Sequence, residues 1–351
     1  MATTVRTKSA VRLKRRGVLH GSFEPAERVP FDAADVAPLE RAWNEDRLIH
    51  LPGLLAPEVA RMRRPIAASL AAFERWRGGA SFEDDVWRRL DPRSGFAPAG
   101  VTMDLGDQRE IEKVYAHAVD GGRALARDLY AKLSWIAHVD NDHSLRIRFS
   151  FGAEALCDWQ KETRRAPWSD RFAEALFPEC AAITGKRELV LLIERLCARR
   201  VRFSERIIYN NAPGGGAAFH HDDESFQLGV VYAQLAGETG WFGLPKRELA
   251  EHIAAFANTS ALRKLAGTPK KALRALDQDS DPTMLHVLNS TPAFTRRLAL
   301  RGLFVRMQAG DALLLPSHGP DDVCWHAVYG LGERASLAHS YGIFARRRTA
   351  E

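Results

Sequence analysis

In the stretch GGGAAFHHDDESFQLGVVYAQL, residues 214–235, two histidines and three acids stand just ahead of a run with strand character. Imidazole and carboxylate side chains packed this densely are metal-seeking, and the question is whether they converge. In an extended strand, residues i and i+2 share a face. His220 and Asp222 then point together, while His221 and Asp223 point the other way. One imidazole and one carboxylate supply two ligands of a facial triad, in which two His and one carboxylate leave adjacent positions open on non-heme Fe(II). The third ligand must come from elsewhere. His326, in the strand-like VCWHAVYG, is the first candidate, and His318, in the loop SHGPDD, is its rival. A one-residue slip exchanges the two faces of a strand, so His221 with Asp223 is the alternative pair.

Other residues supply binding chemistry. Arg334 and Ser336, in RAS eight residues after His326, would share a face of a last strand. A guanidinium fork there pairs bidentately with a carboxylate, and the hydroxyl donates beside it. Tyr209, Asn210 and Asn211 precede the histidine stretch and either hydrogen-bond a ligand or cap the turn into Pro213. The three glycines lack a following Gly-Lys-Ser/Thr and open onto a strand, which excludes a phosphate loop. Trp241 reads as a core side chain with a satisfied N–H. Arg146, Arg148, Arg202 and Arg206 lie on strand-like segments and point to a carboxylated small molecule, amino-acid-like or metabolic.

These residues need elements to position them. EDRLIHLPGLLAPEVARMRRPIAASLAAFERW (45–76) predicts a short strand, a Pro-Gly turn and a helix whose apolar residues recur every three or four positions. Residues 77–110 predict loop, 109–136 a helix, 144–152 a strand and 185–200 an amphipathic helix. Beyond 200 the texture turns to strands, at 201–212, 226–237 and 303–317, with a final hairpin over 323–347 and a helical insertion at about 246–300. The economical reading is one α+β domain over 20–351, helix-rich over 20–200, with an antiparallel core mainly over 201–347.

Composition narrows the function. Hydrophobic residues make up 46% and charged residues 27%, an ordinary globular balance. The net charge of +6 is supplied entirely by Arg6, Lys8, Arg12, Lys14, Arg15 and Arg16, ahead of the first acid. Residues 1–19 therefore read as a flexible basic arm, and the neutral remainder has no excess charge to track a nucleic-acid backbone. No apolar run reaches the ~18 residues of a membrane span. The four scattered cysteines form no CxxC pair and suit a reducing cytoplasm.

Taken together, the segments 45–64, 209–235 and 303–345 resemble the Fe(II)/2-oxoglutarate-dependent oxygenases, and most closely the branch like phytanoyl-CoA hydroxylase. The likeness rests on the strand–Pro-Gly–helix opening, on Phe219-His220-x-Asp222, and on the late Gly310-Asp311-Ala312-Leu313-Leu314-Leu315 run ahead of His326. Trp325-His326-x-Val328 also resembles the JmjC-type cupins. The resemblance implies a double-stranded β-helix (jelly-roll, cupin-like) core with Fe(II) held by His220, Asp222 and His326. It implies 2-oxoglutarate anchored by Arg334 and Ser336, with Tyr209 and Asn211 beside it. It further implies O₂-dependent hydroxylation of a small-molecule C–H with release of succinate and CO₂. A JmjC-like protein hydroxylase and a cupin-type metal protein that ignores 2-oxoglutarate are the alternative readings. The extra residues between Pro316 and Val323, and the short interval from His326 to Arg334, depart from the family pattern.

Overall fold

A computed structural model describes residues 10–91, 93–102, 110–137, 139, 141–152, 164–222, 224, 226–278 and 281–346. The LIHLPGLLAPEV stretch folds as its pattern dictates. It gives β3 (Ile49–Leu51), a turn with Gly53 at φ +71, α2 (Ala56–Arg61) and α3 (Arg63–Arg77). Ahead of it lie a hairpin of β1 (Val11–Arg15) and β2 (Val18–Phe23), then α1 (Ala37–Asn44). The hairpin corrects the reading of residues 1–19 as a solvated arm. Residues 1–9 lie outside the described residues, but Leu13 is fully buried and Arg15 is 2% exposed. Arg15 donates to Ala217 O (2.7 Å) and Asn289 Oδ1 (2.9 Å) and lies over the Tyr329 ring. Its charge is solvated by the fold instead of by water.

The second correction concerns 77–136. Ser81 caps α4 (Phe82–Arg89) by accepting from Asp84 N, and β4 (Phe96–Thr102) follows. The expected helix at 109–136 is instead the hairpin of β5 (Glu110–Asp120) and β6 (Arg123–Trp135), turned at Gly121-Gly122, both at positive φ. Its Ala, Arg and Lys content favours a helix locally. The alternation of Val114, Ala116 and Ala118 against Leu129, Ala131 and Leu133 buries a sheet face, and that prevails. With β7 (Leu145–Phe151), these strands make the first half of the chain substantially β.

The nine-stranded antiparallel sheet runs β3-β12-β9-β14-β8-β7-β6-β5-β4, using β8 (Val201–Asn211), β9 (Gln227–Ala236), β12 (Ala312–Pro316) and β14 (Ser336–Ala345). One face carries α1 and α3 with α5 (Ala166–Leu176), α6 (Ala181–Thr184) and α7 (Arg187–Leu196), around a core that includes Phe73, Trp76, Phe172 and Tyr341. The other face packs against a three-stranded sheet, β11 (Phe304–Gln308), β10 (Glu238–Pro245) and β13 (Cys324–Gly330). Val230, Tyr232, Leu315 and Ala338 meet Trp241, Met307 and Val328 across that interface. Helices α8 (Lys246–Phe256), α9 (Ser260–Ala266), α10 (Pro269–Leu276), α11 (Pro282–Ser290) and α12 (Pro292–Ala299) cover the outer face of the small sheet.

The expected hairpin at 323–347 is corrected as well. β13 pairs with β10 in the small sheet, whereas β14 pairs with β8 and β9 in the large one. Residues 331–335 therefore bridge two sheets, and that moves Arg334. Among the described residues no helix is long and apolar enough to cross a membrane.

Two motifs of the sequence reading meet in this frame. Asp311, in the Gly-Asp turn before β12, accepts from Arg28 (2.5 and 2.7 Å), His50 Nε2 (3.1 Å), Gly53 N (2.8 Å) and Gln308 N (2.9 Å). Burial works against its charge. The donors of His50, Arg28, Gln308 and Gly53 override that and hold its pKa down to about 2. The Pro-Gly turn and the Gly-Asp turn form one clamp.

Candidate metal centre

The histidine stretch leaves β8 through Gly214-Gly215-Gly216. A Cβ on Gly215 would meet Asp142 Oδ1 at 2.2 Å, and one on Gly216 would meet Val328 O at 2.3 Å. The glycines are there for close approach: they let the segment lie against β13. Val328 N donates to Ala217 O (3.0 Å), and His220 and His326 exchange both backbone hydrogen bonds (3.0 and 2.8 Å). The segment is thus a single bridge pair and not a full strand, yet it keeps extended parity where it matters.

That register brings the side chains together. His220, Asp222 and His326 each present a ligand atom, all within 4.8 Å of one another. His220 Nε2 lies 3.8 Å from Asp222 Oδ1, and His326 Nε2 lies 3.9 Å from Asp222 Oδ2. These spans are too long for hydrogen bonds. Ligand atoms on one face of a metal with bonds of ~2.0–2.2 Å lie ~3 Å apart, so the three side chains would draw together on an ion. His220 Nδ1 donates to Ala218 O (2.8 Å), which sets the tautomer and leaves Nε2 as the ligand atom. His326 is 4% exposed, and its pKa is lowered to about 3 by burial first and by His220 second. A neutral imidazole is the form that binds a metal. Two imidazoles and one carboxylate, with no thiolate, suit a divalent iron centre. The residues fit the metal.

The rivals are placed elsewhere. His318 donates from Nδ1 to Asp46 (2.6 Å) and sits edge-on to Trp43. His221 stacks on Trp325 with centroids 5.0 Å apart, on the outward face, and Asp223 lies outside the described residues. The triad opens onto a cavity of about 40 Å³ whose walls include Ile136, Tyr209, Asn211, Tyr232, Trp241 and Ser340. Trp241 both lines this cavity and belongs to the core. Its ring stacks on His326 (5.6 Å), and its Nε1 donates to Thr239 (2.9 Å). Tyr232 and Ser340 went unnoticed in the sequence, although Tyr232 shares strand parity with Val230, another wall residue.

Tyr209 and Asn211 line the cavity, and Ser336, buried at the start of β14, accepts from Asn211 Nδ2 (3.4 Å) without reaching the wall. Arg334 corrects the sequence reading. It is exposed, in the connection that carries the chain from one sheet to the other, and does not line the cavity. The other arginines are also spoken for. Arg206 faces the helices and binds Asp170 (2.9 Å) and Glu174 (2.8 Å), while Arg202 lies over Phe344 (4.8 Å). Arg148 pairs with Glu205, whose pKa is pushed up to about 7 by burial against the pull of Arg148. Arg146 donates from Nε to Ser134 (3.2 Å). Among the described residues that line the cavity, none supplies the guanidinium that a distal carboxylate was expected to meet.

No protein-family model matches the chain, and no curated protein matches it. Among solved structures, it is similar to a 2OG-Fe(II) oxygenase family oxidoreductase from Burkholderia pseudomallei, at 12% identity and a TM-score of 0.34, covering 92% of this chain and 100% of that one. It is also similar to YcfD, a ribosomal oxygenase from Escherichia coli, at 14% identity and a TM-score of 0.31, covering 92% of this chain and 53% of that one. The chain thus spans about half the length of YcfD. Global overlap is low in both cases, and the chemistry below stands on the geometry of the centre.

Proposed function

We propose that this chain is a mononuclear non-heme iron oxygenase that oxidises an unactivated C–H bond of a small molecule, on a double-stranded β-helix. The connectivity supports that fold: β9 to β10, β11 to β12 and β13 to β14 each pass between the large and the small sheet. The observation that carries the function is the convergence of His220, Asp222 and His326 at the mouth of a cavity closed between the sheets. Iron bound there would supply O₂ activation and hydrogen abstraction. The protein's own contribution is positional. His220 is held in one tautomer by Ala218 O, His326 is kept neutral by burial, and Trp241 braces its ring. Val230, Leu315, Val328 and Ile136 give the cavity apolar walls beside the reacting centre. Cys180, Cys197 and Cys324 are free, in keeping with a reducing compartment such as the cytoplasm.

The resemblance to the phytanoyl-CoA hydroxylase-like branch implied an anchoring role for Arg334, which stands outside the cavity. The wider oxygenase reading does not depend on it. The test is anaerobic reconstitution with Fe(II), followed by O₂ uptake. One iron per chain and iron-dependent O₂ consumption are expected. A protein that binds no divalent iron at micromolar concentration would sink the proposal.

A further inference from the structure

The lining of the metal cavity names a class of co-ligand. Among the described residues at its wall none is Lys or Arg. Behind the wall residues Tyr232 and Trp241 runs a chain of neutral hydrogen bonds. Trp241 Nε1 donates to Thr239, Thr239 Oγ1 donates to Gln234 Oε1 (2.7 Å), and Tyr232 OH donates to the same oxygen (3.3 Å). Gln234 Nε2 is spent on Ala236 O (2.7 Å), and Ser340 Oγ donates to Tyr209 OH (3.5 Å). The remaining walls, Ile136, Val230, Leu315 and Val328, are aliphatic. A carboxylate carried to this depth would lose its water and meet no cation among the described wall residues, and that is the costly way to bury a charge. Size points the same way. The cavity volume of about 40 Å³ is only a few water positions at roughly 10–15 Å³ each, which suits a short tail.

We infer that the oxidisable co-ligand of this centre is a short 2-oxo acid with an uncharged, apolar tail, and not the dicarboxylate 2-oxoglutarate. The inference rests on the iron-oxygenase reading and deepens it. In the reaction the C1–C2 bond of the 2-oxo acid and the O–O bond of O₂ break. One oxygen atom enters the shortened carboxylic acid as CO₂ leaves, and the other enters the substrate C–H as hydroxyl. The 2-oxo acid supplies two electrons and the substrate two, which together complete the four-electron reduction of O₂.

The experiment is an anaerobic titration of the Fe(II)-loaded full chain with pyruvate, 2-oxobutyrate, 2-oxoisovalerate and 2-oxoglutarate. Binding is read from the metal-to-ligand charge-transfer band and from the shift in melting temperature. The expected result is at least one neutral-tailed acid binding ~10-fold or more tightly than 2-oxoglutarate, a preference of one decade per ~1.4 kcal/mol. Tighter binding of 2-oxoglutarate overturns the inference. If Arg146→Gln then abolishes that binding, the missing cation comes from β7, across from Tyr209. Iron binding with no band from any 2-oxo acid overturns the inference but leaves the oxygenase reading to O₂ uptake. Absence of iron binding overturns both.

Discussion

Asp222 and Asp311 are the two carboxylates on which the sequence motifs converge, and the fold treats them in opposite ways. Asp311 is completely buried, and its two oxygens receive five donor contacts, from Arg28 (two), His50, Gly53 and Gln308. Asp222 keeps 35% of its side chain exposed, and its ion-pair partners among the described residues are imidazole nitrogens at 3.8 and 3.9 Å. A carboxylate whose lone pairs are saturated by fixed donors ties chain segments together. One whose lone pairs face imidazole nitrogens beyond hydrogen-bonding distance is arranged for a cation. The difference separates a structural acid from a ligand without reference to motif, and it can be broken from either side.

The largest effects come from exchanging the two roles. Asp222→Asn, His220→Ala and His326→Ala should each weaken iron binding by more than ~100-fold, beyond what outer-sphere changes produce. Melting temperature in the absence of metal should stay near wild type for Asp222→Asn, because its carboxylate accepts no hydrogen bond among the described residues. Asp311→Asn should do the reverse. It strands Arg28 and His50 and costs ~3 kcal/mol, at the low end for removing one partner of a buried pair because Arg28 is 34% exposed. Metal affinity per folded molecule should be unchanged. His318→Ala belongs with the structural class, since its partner is Asp46, and should keep iron. An iron-free His318→Ala beside an iron-binding His326→Ala would reverse the assignment of the third ligand.

The N-terminal hairpin sharpens the comparison, because it braces the metal segment from behind. Arg15 holds Ala217 O, and Asn289 Oδ1 accepts from both Arg15 and Phe219 N (2.7 Å). Deleting residues 1–16 removes buried Leu13 together with Arg15. A buried leucine alone is worth ~2–5 kcal/mol when truncated to alanine. The deletion should lower the melting temperature by several degrees and weaken iron binding. An unchanged melting curve would show that the hairpin is dispensable.

Acid sensitivity probes the clamp more gently. The folded-state pKa of Asp311 is depressed to about 2 from the ordinary 3.8. Its contribution is therefore fully present above pH ~4 and lost as pH falls through 2, which amounts to ~2 kcal/mol at 1.36 kcal/mol per unit. Urea unfolding at pH 6 and at pH 2.5 should show a smaller fall in stability for Asp311→Asn than for wild type. Parallel falls in both proteins would remove Asp311 from the acid response.

How much of this was legible depended on how local the physics is. The convergence of His220 and Asp222 follows from the parity of neighbouring residues, and the turn at Pro52-Gly53 from two side chains. The hairpin at 110–135 was missed because its five alanines favour a helix, although Gly121-Gly122 at its centre is a turn signal. The pairing of His318 with Asp46 spans 272 positions, and no spacing rule reaches so far. The neutral cavity was hidden for a related reason. Gln234, Thr239 and Trp241 are unremarkable apart, and only the fold of β9 against β10 joins them.

The smallest expected effect falls on the residue expected from its motif to have the largest binding role. Arg334 on a last strand would anchor 2-oxoglutarate, and its loss would then cost at least ~30-fold in affinity, each 1.4 kcal/mol being tenfold. The fold places it on the exposed connection at 331–335, two residues before β14 begins, where it makes no ion pair among the described residues. Exposed side chains of this kind change stability by no more than ~0.5 kcal/mol on substitution. Arg334→Ala should therefore leave iron binding, melting temperature and the charge-transfer titrations within ~2-fold of wild type, an RT ln 2 change of ~0.4 kcal/mol. The comparison across tails makes this decisive. A loss confined to 2-oxoglutarate, with 2-oxobutyrate unaffected, would mean that the connection folds inward to meet a distal carboxylate. The cavity would then be charged after all, and Arg334 would be the source of that charge.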